Sequence, residues 1–520
     1  MPETTKPKLV PPADPNKRRV YWLNRMERQL DDGTTVLLTP SPEVIAVALA
    51  KCSRTDTPFD QNVYEATEAK ASEFHEKWVV GYGHGSVAEH AVPSVALENV
   101  SQVVIKIIED CRLCSFTEKS SRYQIFSAVR CVTPAKIAAS HLRHAYTGTV
   151  EGLYSLYEEA LRRLDGYMRE KFPNETGISD RAYAAQIKGR SCDVARYLLP
   201  SAAMASFGVT ANARNWATII TKLMSSPHDE AHEVGRELIE ALHGGPDADP
   251  EVAILTKPIH TLLKYAGRNE YRSSLPDTLH ELANDLLQDV PVSGPVADNL
   301  NPVVLLADDP FAELHIAAAL LAGYSDRPYA EILSTLKGEG SLDIIDRVIS
   351  TALRDRGPHD PAPRPFEDST FTHEIVIDYG AWRDIQRHRI CSPLNQTLGV
   401  ELGYDVPQEI TDIGLADDFH ALMTRVKELH KQLVAAGLEV EAEYAVPMAF
   451  RRRLIVSWNV RELFHFIELR SGSKGHPSYR RIAQEVWRTV NETHTLIAKH
   501  IRVDMSAATT STLGAKPKGF

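Results

Sequence analysis

Three basic residues stand side by side at Arg387, His388 and Arg389 in the stretch RDIQRHRICS (383–392), inside a chain whose formal net charge is −11. Guanidiniums beside an imidazole make charge-assisted hydrogen bonds to phosphate or carboxylate oxygens, each contributing about 1.5–3 kcal/mol. Such a cluster can hold an anion locally on a surface that repels anions at long range. Arg383 precedes Arg387 by one helical turn, so a helical segment would set both cations on one face. Read alone, the cluster also fits a solvated basic face.

Other stretches offer complementary chemistry. SFTEKSSRY (115–123) places the hydroxyls of Ser115, Ser120 and Ser121 ahead of Arg122 and Tyr123. Hydroxyls, loop N–H groups and one Arg are what a phosphate monoester needs, although an ordinary solvated loop has the same composition. In HGSVAEH (84–90), Ser86 and Glu89 fit a capping box at a helix start, with His84 just before it. SPHDEAHE (226–233) clusters His228 and His232 with acids and reads as a helix start. Cys111 and Cys114 form a C-x-x-C with no second pair or nearby His, so interior thiols are expected there and no metal site.

The elements that position these residues follow from length and pattern. A chain of 520 residues exceeds one ordinary core and predicts two to four domains. With 43% hydrophobic and 24% charged residues it belongs to the globular class. No apolar run approaches the ~20 residues of a spanning helix. The start MPETTKPKLVPPADPNKRR lacks an apolar signal region, and six cysteines fit a reducing compartment, so a cytoplasmic location is expected. An acidic surface disfavours nucleic acid, and neither a nucleic-acid nor a membrane partner is expected.

The chain also resembles itself. VLLTPSPEVIAVALA (36–50) is answered by VLLADDPFAELHIAAALLA (304–322), each a short strand, a turn with Pro and an Ala-rich helix. CRLCSF (111–116) is answered by HRICSP (388–393), and LLPSAAMASFGVTANAR (198–214) by AVPMAFRRRLIVSWNVR (445–461). The order is the same in both halves. This predicts a tail at 1–34, a first unit at 35–272, a linker at 273–300 and a second unit at 301–520. Helical periods such as 151–170 and 416–444 alternate with β-like runs such as THEIVIDY and RLIVSWNV, so each unit is expected to be α+β, a mostly antiparallel sheet with flanking helices.

With these stretches assembled, the chain resembles the flavin-dependent thymidylate synthases, whose R-H-R-x-x-S-x-x-x-x-S-x-R-Y signature is divided between the two units. DCRLCSFTEKSSRY (110–123) matches at Arg112, Ser115, Glu118, Ser120, Arg122 and Tyr123, with Asp110 and Cys111 replacing the first Arg and His. RHRICSPLNQTLGVELGY (387–404) matches at Arg387, His388, Arg389 and Ser392 and lacks the S-x-R-Y end. DVARYLLP keeps the family's nucleotide arginine as Arg196, where EAEYAVP has Glu443. NVRELFHFIELR keeps Asn459, His465 and Arg470, where NARNWATIITKL keeps only Asn212 and has Thr218 and Leu223. PFEDSTFTHEI (365–375) resembles a further family segment, with Asp368 replacing a His.

The resemblance implies an α/β fold in family usage, homotetramers with sites built from several subunits, and a reaction without a cysteine nucleophile. It implies FAD as cofactor, with methylenetetrahydrofolate and NADPH as co-substrates, and conversion of dUMP to dTMP. By resemblance the substrate falls to Glu118, Ser120, Ser121, Arg122, Tyr123, Arg196 and Arg470. The cofactor falls to His84, Ser86, Glu89, Arg387, His388, Arg389, Ser392, Asn459 and His465, with Tyr479 and Arg480 of GHPSYRR at the edge of the site. A tandem chain of such units is expected to dimerise into a pseudo-tetramer. Two readings stay open. The units complete one composite site between them, or Asp110 and Glu443, acids at basic positions, mark a diverged flavin- or nucleotide-binding protein or an enzyme of another pyrimidine nucleotide.

Overall fold

The computed structural model describes residues 7–507 except 12–18, 20, 22, 52–54, 56, 67, 82–84, 129, 175–176, 244–258, 260, 291–300 and 339. In the first half, β1 (Ser94–Ser101) runs into α1 (Gln102–Glu109) and a short β2 (Ser115–Glu118). The long α2 (Arg143–Lys171), α3 (Asp180–Ala195), β3 (Met204–Thr210), α4 (Ala213–Met224) and α5 (Asp229–His243) follow. Helix α6 (Glu270–Leu287) carries the chain onward. In the second half, β4 (Val303–Ala307) precedes the same order: β5 (Thr370–Asp378), α7 (Tyr379–Ile385) and β6 (Cys391–Asn395). Then come α8 (Ala416–Ala435), β7 (Arg451–Asn459), α9 (Val460–Ser471) and α10 (Pro477–Thr493).

The strands obey the period of two. Along β5, Phe371, His373, Ile375 and Ile377 are buried, and along β7 so are Leu454, Val456 and Trp458. Register pairs Phe371 with Trp458 and Ile375 with Leu454, so a slip of one residue would turn both apolar rows to solvent. Met26–Gln29, inside the expected tail 1–34, pairs antiparallel with Thr35–Leu38 in a two-stranded sheet, and the two larger sheets, also antiparallel, are ordered β1-β3-β2 and β4-β5-β7-β6. The class is α+β with antiparallel sheets, as the periodicities predict. Each of the two larger sheets has a strand-to-helix corner capped by asparagine: Asn212 Oδ1 accepts from the Asn215 N–H at 2.9 Å, and Asn459 Oδ1 from the Glu462 N–H at 2.8 Å.

Packing divides the chain differently from the sequence halves 35–272 and 301–520. Met1–Glu118 with Met204–Val290 form one compact unit, and Lys119–Ala203 with Pro291–Phe520 the other. Helices α2 and α3 therefore share a unit with the whole second half. There α2 packs on α8, where Gly152 leaves room for Leu422: an added Cβ would lie 3.2 Å from its Cδ1. Beside them, equivalent stretches of the two halves run antiparallel about Pro200 and Pro447. Met448 donates to the Leu199 carbonyl at 2.9 Å and Ser201 to the Val446 carbonyl at 2.9 Å. The amphipathic helix expected at the start of the linker is α6; residues 291–300 of that linker, and 1–6 and 12–18 of the tail, lie outside the described residues.

Candidate functional site

In the unit formed by Lys119–Ala203 and Pro291–Phe520, buried charges converge on Asp193, placed by the last turn of α3. Arg122, in the turn after β2, grips it in a two-pronged bond, Nε to Oδ1 at 2.7 Å and Nη2 to Oδ2 at 2.9 Å. Arg196 lies 3.6 Å and His476, the N-cap of α10, 4.0 Å from the same Oδ1. Burial pushes the Asp193 carboxyl up, but His476, Arg122 and Arg196 overcome it and hold it at about 2. Burial drives His476 down to about 3, against the pull of Asp193, and its ring stacks on Tyr197 at 5.6 Å. Arg196 is 2% exposed, and its Nε and Nη2 have no hydrogen-bond partner among the described residues. Nε faces the Asp193 carboxylate at 3.6 Å, whereas Nη2 is a buried guanidinium donor open to an anion.

Arg122 also reaches the second half. Its Nη1 donates to the Tyr479 hydroxyl at 3.3 Å, and its guanidinium lies 5.9 Å from the Tyr479 ring centre. Arg470, from the last turn of α9, lies 5.3 Å from that ring. Its Nη2 donates to the Asp384 carbonyl at 2.7 Å and its Nε to His388 Nε2 at 2.9 Å. The other His388 nitrogen, Nδ1, is 2.6 Å from Glu462 Oε1. Burial lowers the His388 pKa despite Glu462, so the ring is a neutral imidazole using both nitrogens. His388, Glu462 and His465 bring ligand atoms within 4.8 Å of one another, a spacing open to a metal, but His388 is already committed on both sides.

Of the expected substrate residues, Ser121, Arg122, Arg196 and Arg470 come together here, with Ser121 Oγ 3.2 Å from Arg383 Nη1. Ser120 Oγ accepts from the Arg122 N–H at 3.2 Å, and Tyr123 is exposed. Glu118 belongs to the other unit, where it is ion-paired with Lys106 at 3.1 Å. Of the cofactor residues, Arg387 and Arg389 are exposed in the turn between α7 and β6, and Ser392 is exposed on β6. Ile390, Asn459 and His465 line a cavity of about 470 Å³, where Glu367 and Glu468 are paired with Arg461 and Arg356. Ser86 and Glu89 lie in the first unit, in and just after a single helical turn, and Glu89 is paired with Arg214 at 2.7 Å; His84 lies outside the described residues.

Two expectations need correction. Arg383 and Arg387 do not share a helix face, because α7 ends at Ile385 with Gln386 as C-cap; Arg383 is buried and Arg387 exposed. Arg480 is not at the edge of a site: it is 2% exposed, and its guanidinium donates to the Ser471 carbonyl and Ser506 Oγ, both at 2.9 Å. Sequence reasoning missed Asp193, Glu462 and His476 as parts of the network. The signal for Asp193 was its place one helical turn before Arg196, and for Glu462 its place one turn after the capping Asn459.

The first unit carries different chemistry at the equivalent corner. Cys111, Asn215 and Leu223 stand where the second half has His388, Glu462 and Arg470. Cys111 is a buried thiol pushed up by burial, Leu223 is fully buried, and Asn215 donates to the Leu113 carbonyl at 3.3 Å. Asp110 is ion-paired with Lys222 at 2.5 Å.

The family model described as thymidylate synthase complementing protein (Thy1) matches residues 35–244 and 304–494. The UPF0159 protein of Chlamydia muridarum is 28% identical over 431 residues, covering 82% of this chain and 79% of that protein. The UPF0159 protein of Thermoplasma acidophilum is 27% identical over 493 residues, covering 87% and 94%. A flavin-dependent thymidylate synthase of Clostridium tetani is 24% identical over 177 residues, covering 34% of this chain and 67% of its own. Among solved structures, a UMP/dUMP methylase from Streptomyces cacaoi bound with 5-Br dUMP matches with 18% identity and a TM-score of 0.30, over 38% of this chain and 93% of that one. No described helix is long and apolar enough to cross a membrane.

Proposed function

The chain belongs to the thymidylate synthase complementing protein (Thy1) family, and from that premise we propose that it is a flavin-dependent thymidylate synthase-like enzyme. It methylates dUMP reductively to dTMP, with methylenetetrahydrofolate and NADPH as co-substrates, at a site composed from both halves of the chain. The observation that carries this reading is Tyr479, which has Arg122 of the first half and Arg470 of the second half against one ring.

On this reading the nucleotide phosphate meets Ser120, Ser121, Arg122 and Arg196, and Arg196 Nη2, which has no hydrogen-bond partner among the described residues, is its buried donor. Arg470 meets the base, and the Tyr479 ring offers a flat apolar support. The residues present fit FAD: Arg387 and Arg389 are exposed cations at the turn leading to Ile390, and Ile390, Asn459 and His465 wall the 470 Å³ cavity. They would hold it there, and when bound FAD supplies the two-electron chemistry of the methyl transfer. His388 serves from behind Arg470. The chain acts in the cytoplasm, as a homodimer whose two copies of 35–272 and 301–520 mimic four subunits; light scattering should give about twice 57.8 kDa.

One observation favours a second reading, a diverged binder of pyrimidine nucleotides. Arg122 is tied two-pronged to Asp193, a carboxylate with which a phosphate must compete. Purified protein supplied with FAD, dUMP, methylenetetrahydrofolate and NADPH separates the two. Formation of dTMP supports the enzyme; dUMP binding without dTMP supports the binder; a protein that takes up neither FAD nor dUMP removes both.

A further inference from the structure

We propose that Glu462 is a positioning residue that fixes the tautomer of His388 and through it aims the Arg470 guanidinium at the nucleotide. The inference rests on the reading of Arg470 as a nucleotide contact. The geometry is a line of three side chains. Glu462 Oε1 accepts from His388 Nδ1–H at 2.6 Å, and His388 Nε2 accepts from Arg470 Nε–H at 2.9 Å. A neutral imidazole has one N–H and one lone pair. A carboxylate can only accept, so Glu462 draws the proton to Nδ1 and leaves the lone pair at Nε2, facing Arg470. In the other tautomer Nε2–H would face Arg470 Nε–H, donor against donor.

That first bond does not orient Arg470 alone. A guanidinium is planar, and Nη2 donates to the Asp384 carbonyl at 2.7 Å. Two bonds from Nε and Nη2 fix the plane and leave Nη1, 3.6 Å from Asp384 Oδ1, with the guanidinium against Tyr479. The packing around His388 leaves the ring little freedom, since it is 3% exposed and has Phe466 edge-on at 5.1 Å. The first unit supplies an internal contrast. Cys111, Asn215 and Leu223 occupy the equivalent positions, so all three members of the line are replaced together. Asn212 still caps that corner by accepting from the Asn215 backbone N–H, which separates the cap from the relay.

The test uses the full-length protein loaded with FAD and titrated with dUMP by calorimetry. Glu462→Ala should weaken dUMP by about 10-fold or more, as a lost charged hydrogen bond does, approaching Arg470→Ala. Glu462→Gln retains an acceptor oxygen and should stay within about 3-fold of the parent. The double variant Glu462→Ala/Arg470→Ala should bind no more weakly than Arg470→Ala, because residues acting through one another are non-additive. A purely structural role for Glu462 would instead give an additive double variant, which overturns the proposal, as would parental affinity in Glu462→Ala. ¹⁵N-histidine spectra give a readout independent of the nucleotide. The His388 signal, identified by its loss in His388→Gln, should report Nδ1–H in the parent and shift toward Nε2–H in Glu462→Ala. If the parent binds no dUMP, the nucleotide reading fails while the spectrum still decides Glu462: a tautomer unchanged in Glu462→Ala sinks the positioning role.

Discussion

Arg122 and Arg470, from opposite halves of the chain, both set their guanidiniums against the ring of Tyr479, at 5.9 and 5.3 Å. Cation–π contacts of this kind contribute about 0.5–2 kcal/mol each, enough to hold both cations beside one ligand volume. If that volume takes one nucleotide, Arg122→Ala and Arg470→Ala each lower dTMP formation about 10–100-fold, at about 1.5–3 kcal/mol per lost charged contact. The double variant loses little more than the worse single one. Turnover assays decide it: about half the activity retained in either single variant means two independent sites.

The exposed cations of the turn after α7 lead to a separate expectation. Arg387→Ala with Arg389→Ala removes two exposed cations without opening a cavity in the core. Bound FAD, measured by absorbance after gel filtration, should fall to a small fraction. Equal flavin content in parent and variant would remove these arginines from the cofactor site.

What the sequence made legible follows from the reach of its signals. Periods of two and of three to four placed β5, β7, α2 and α8, since local alternation is all that those elements require. The divided signature brought Ser120, Ser121, Arg122, Arg196 and Arg470 to notice. The bonds among Asp193, Glu462, His388 and His476 join segments distant in the chain, and no local pattern encodes them. Arg383 and Arg387 misled because four-residue spacing means one face only while the helix lasts, and α7 stops between them. The membership of α2 and α3 in the second unit was equally invisible: an amphipathic period shows that a helix packs and not what it packs on.

Acid should destabilise the protein in two steps. His476 is held neutral at about 3, below its ordinary 6.5, so the unfolded chain gains a proton that the folded one refuses, and stability falls as pH drops from 6.5 to 3. Asp193 sits at about 2 against an ordinary 3.8, and its contribution is lost as pH falls from 3.8 to 2. Asp378 works in the opposite sense. Burial and then Asp405 raise it to about 7, so its contribution, full below 3.8, is lost as pH rises toward 7. Urea titrations from pH 7 to 4 should show a shallower acid limb in His476→Gln than in the parent; parallel curves would mean that His476 is not the group responsible.

Gly475 offers a steric test of Tyr479. A Cβ there would lie 2.6 Å from Tyr479 Cε2, 2.9 Å from Arg480 Cγ and 3.0 Å from the Gly472 carbonyl oxygen. The carbonyl belongs to the backbone and Arg480 is pinned by its bonds to Ser471 and Ser506, so the tyrosine ring is the part that yields. Gly475→Ala should cost about 1–3 kcal/mol, as overpacking does, and weaken dUMP by moving the ring away from the arginines. Thermal melts and dUMP titration check the two effects. Unchanged affinity at reduced stability would show that the position of Tyr479 does not matter to the ligand.

The sharing of one unit by Lys119–Ala203 and the second half predicts how the chain can be cut. Residues 301–520 alone lose the α2 surface on which α8 packs, and their 444–449 stretch loses its antiparallel partner. Among the broken backbone bonds are Ala449 N–H to the Tyr197 carbonyl at 3.0 Å and Ala202 N–H to the Tyr444 carbonyl at 3.1 Å. Each lost bond costs about 0.5–1.5 kcal/mol, and the bared apolar face adds a drive to aggregate. The fragment 301–520 should therefore be insoluble or lack a cooperative unfolding transition. Co-expression with 119–203 should restore a soluble complex that carries Arg122, Arg196, Arg470 and Tyr479 together and unfolds cooperatively. Size-exclusion chromatography and near-ultraviolet circular dichroism read the outcome; cooperative unfolding of 301–520 by itself would mean that the second half does not need α2 and α3 to fold.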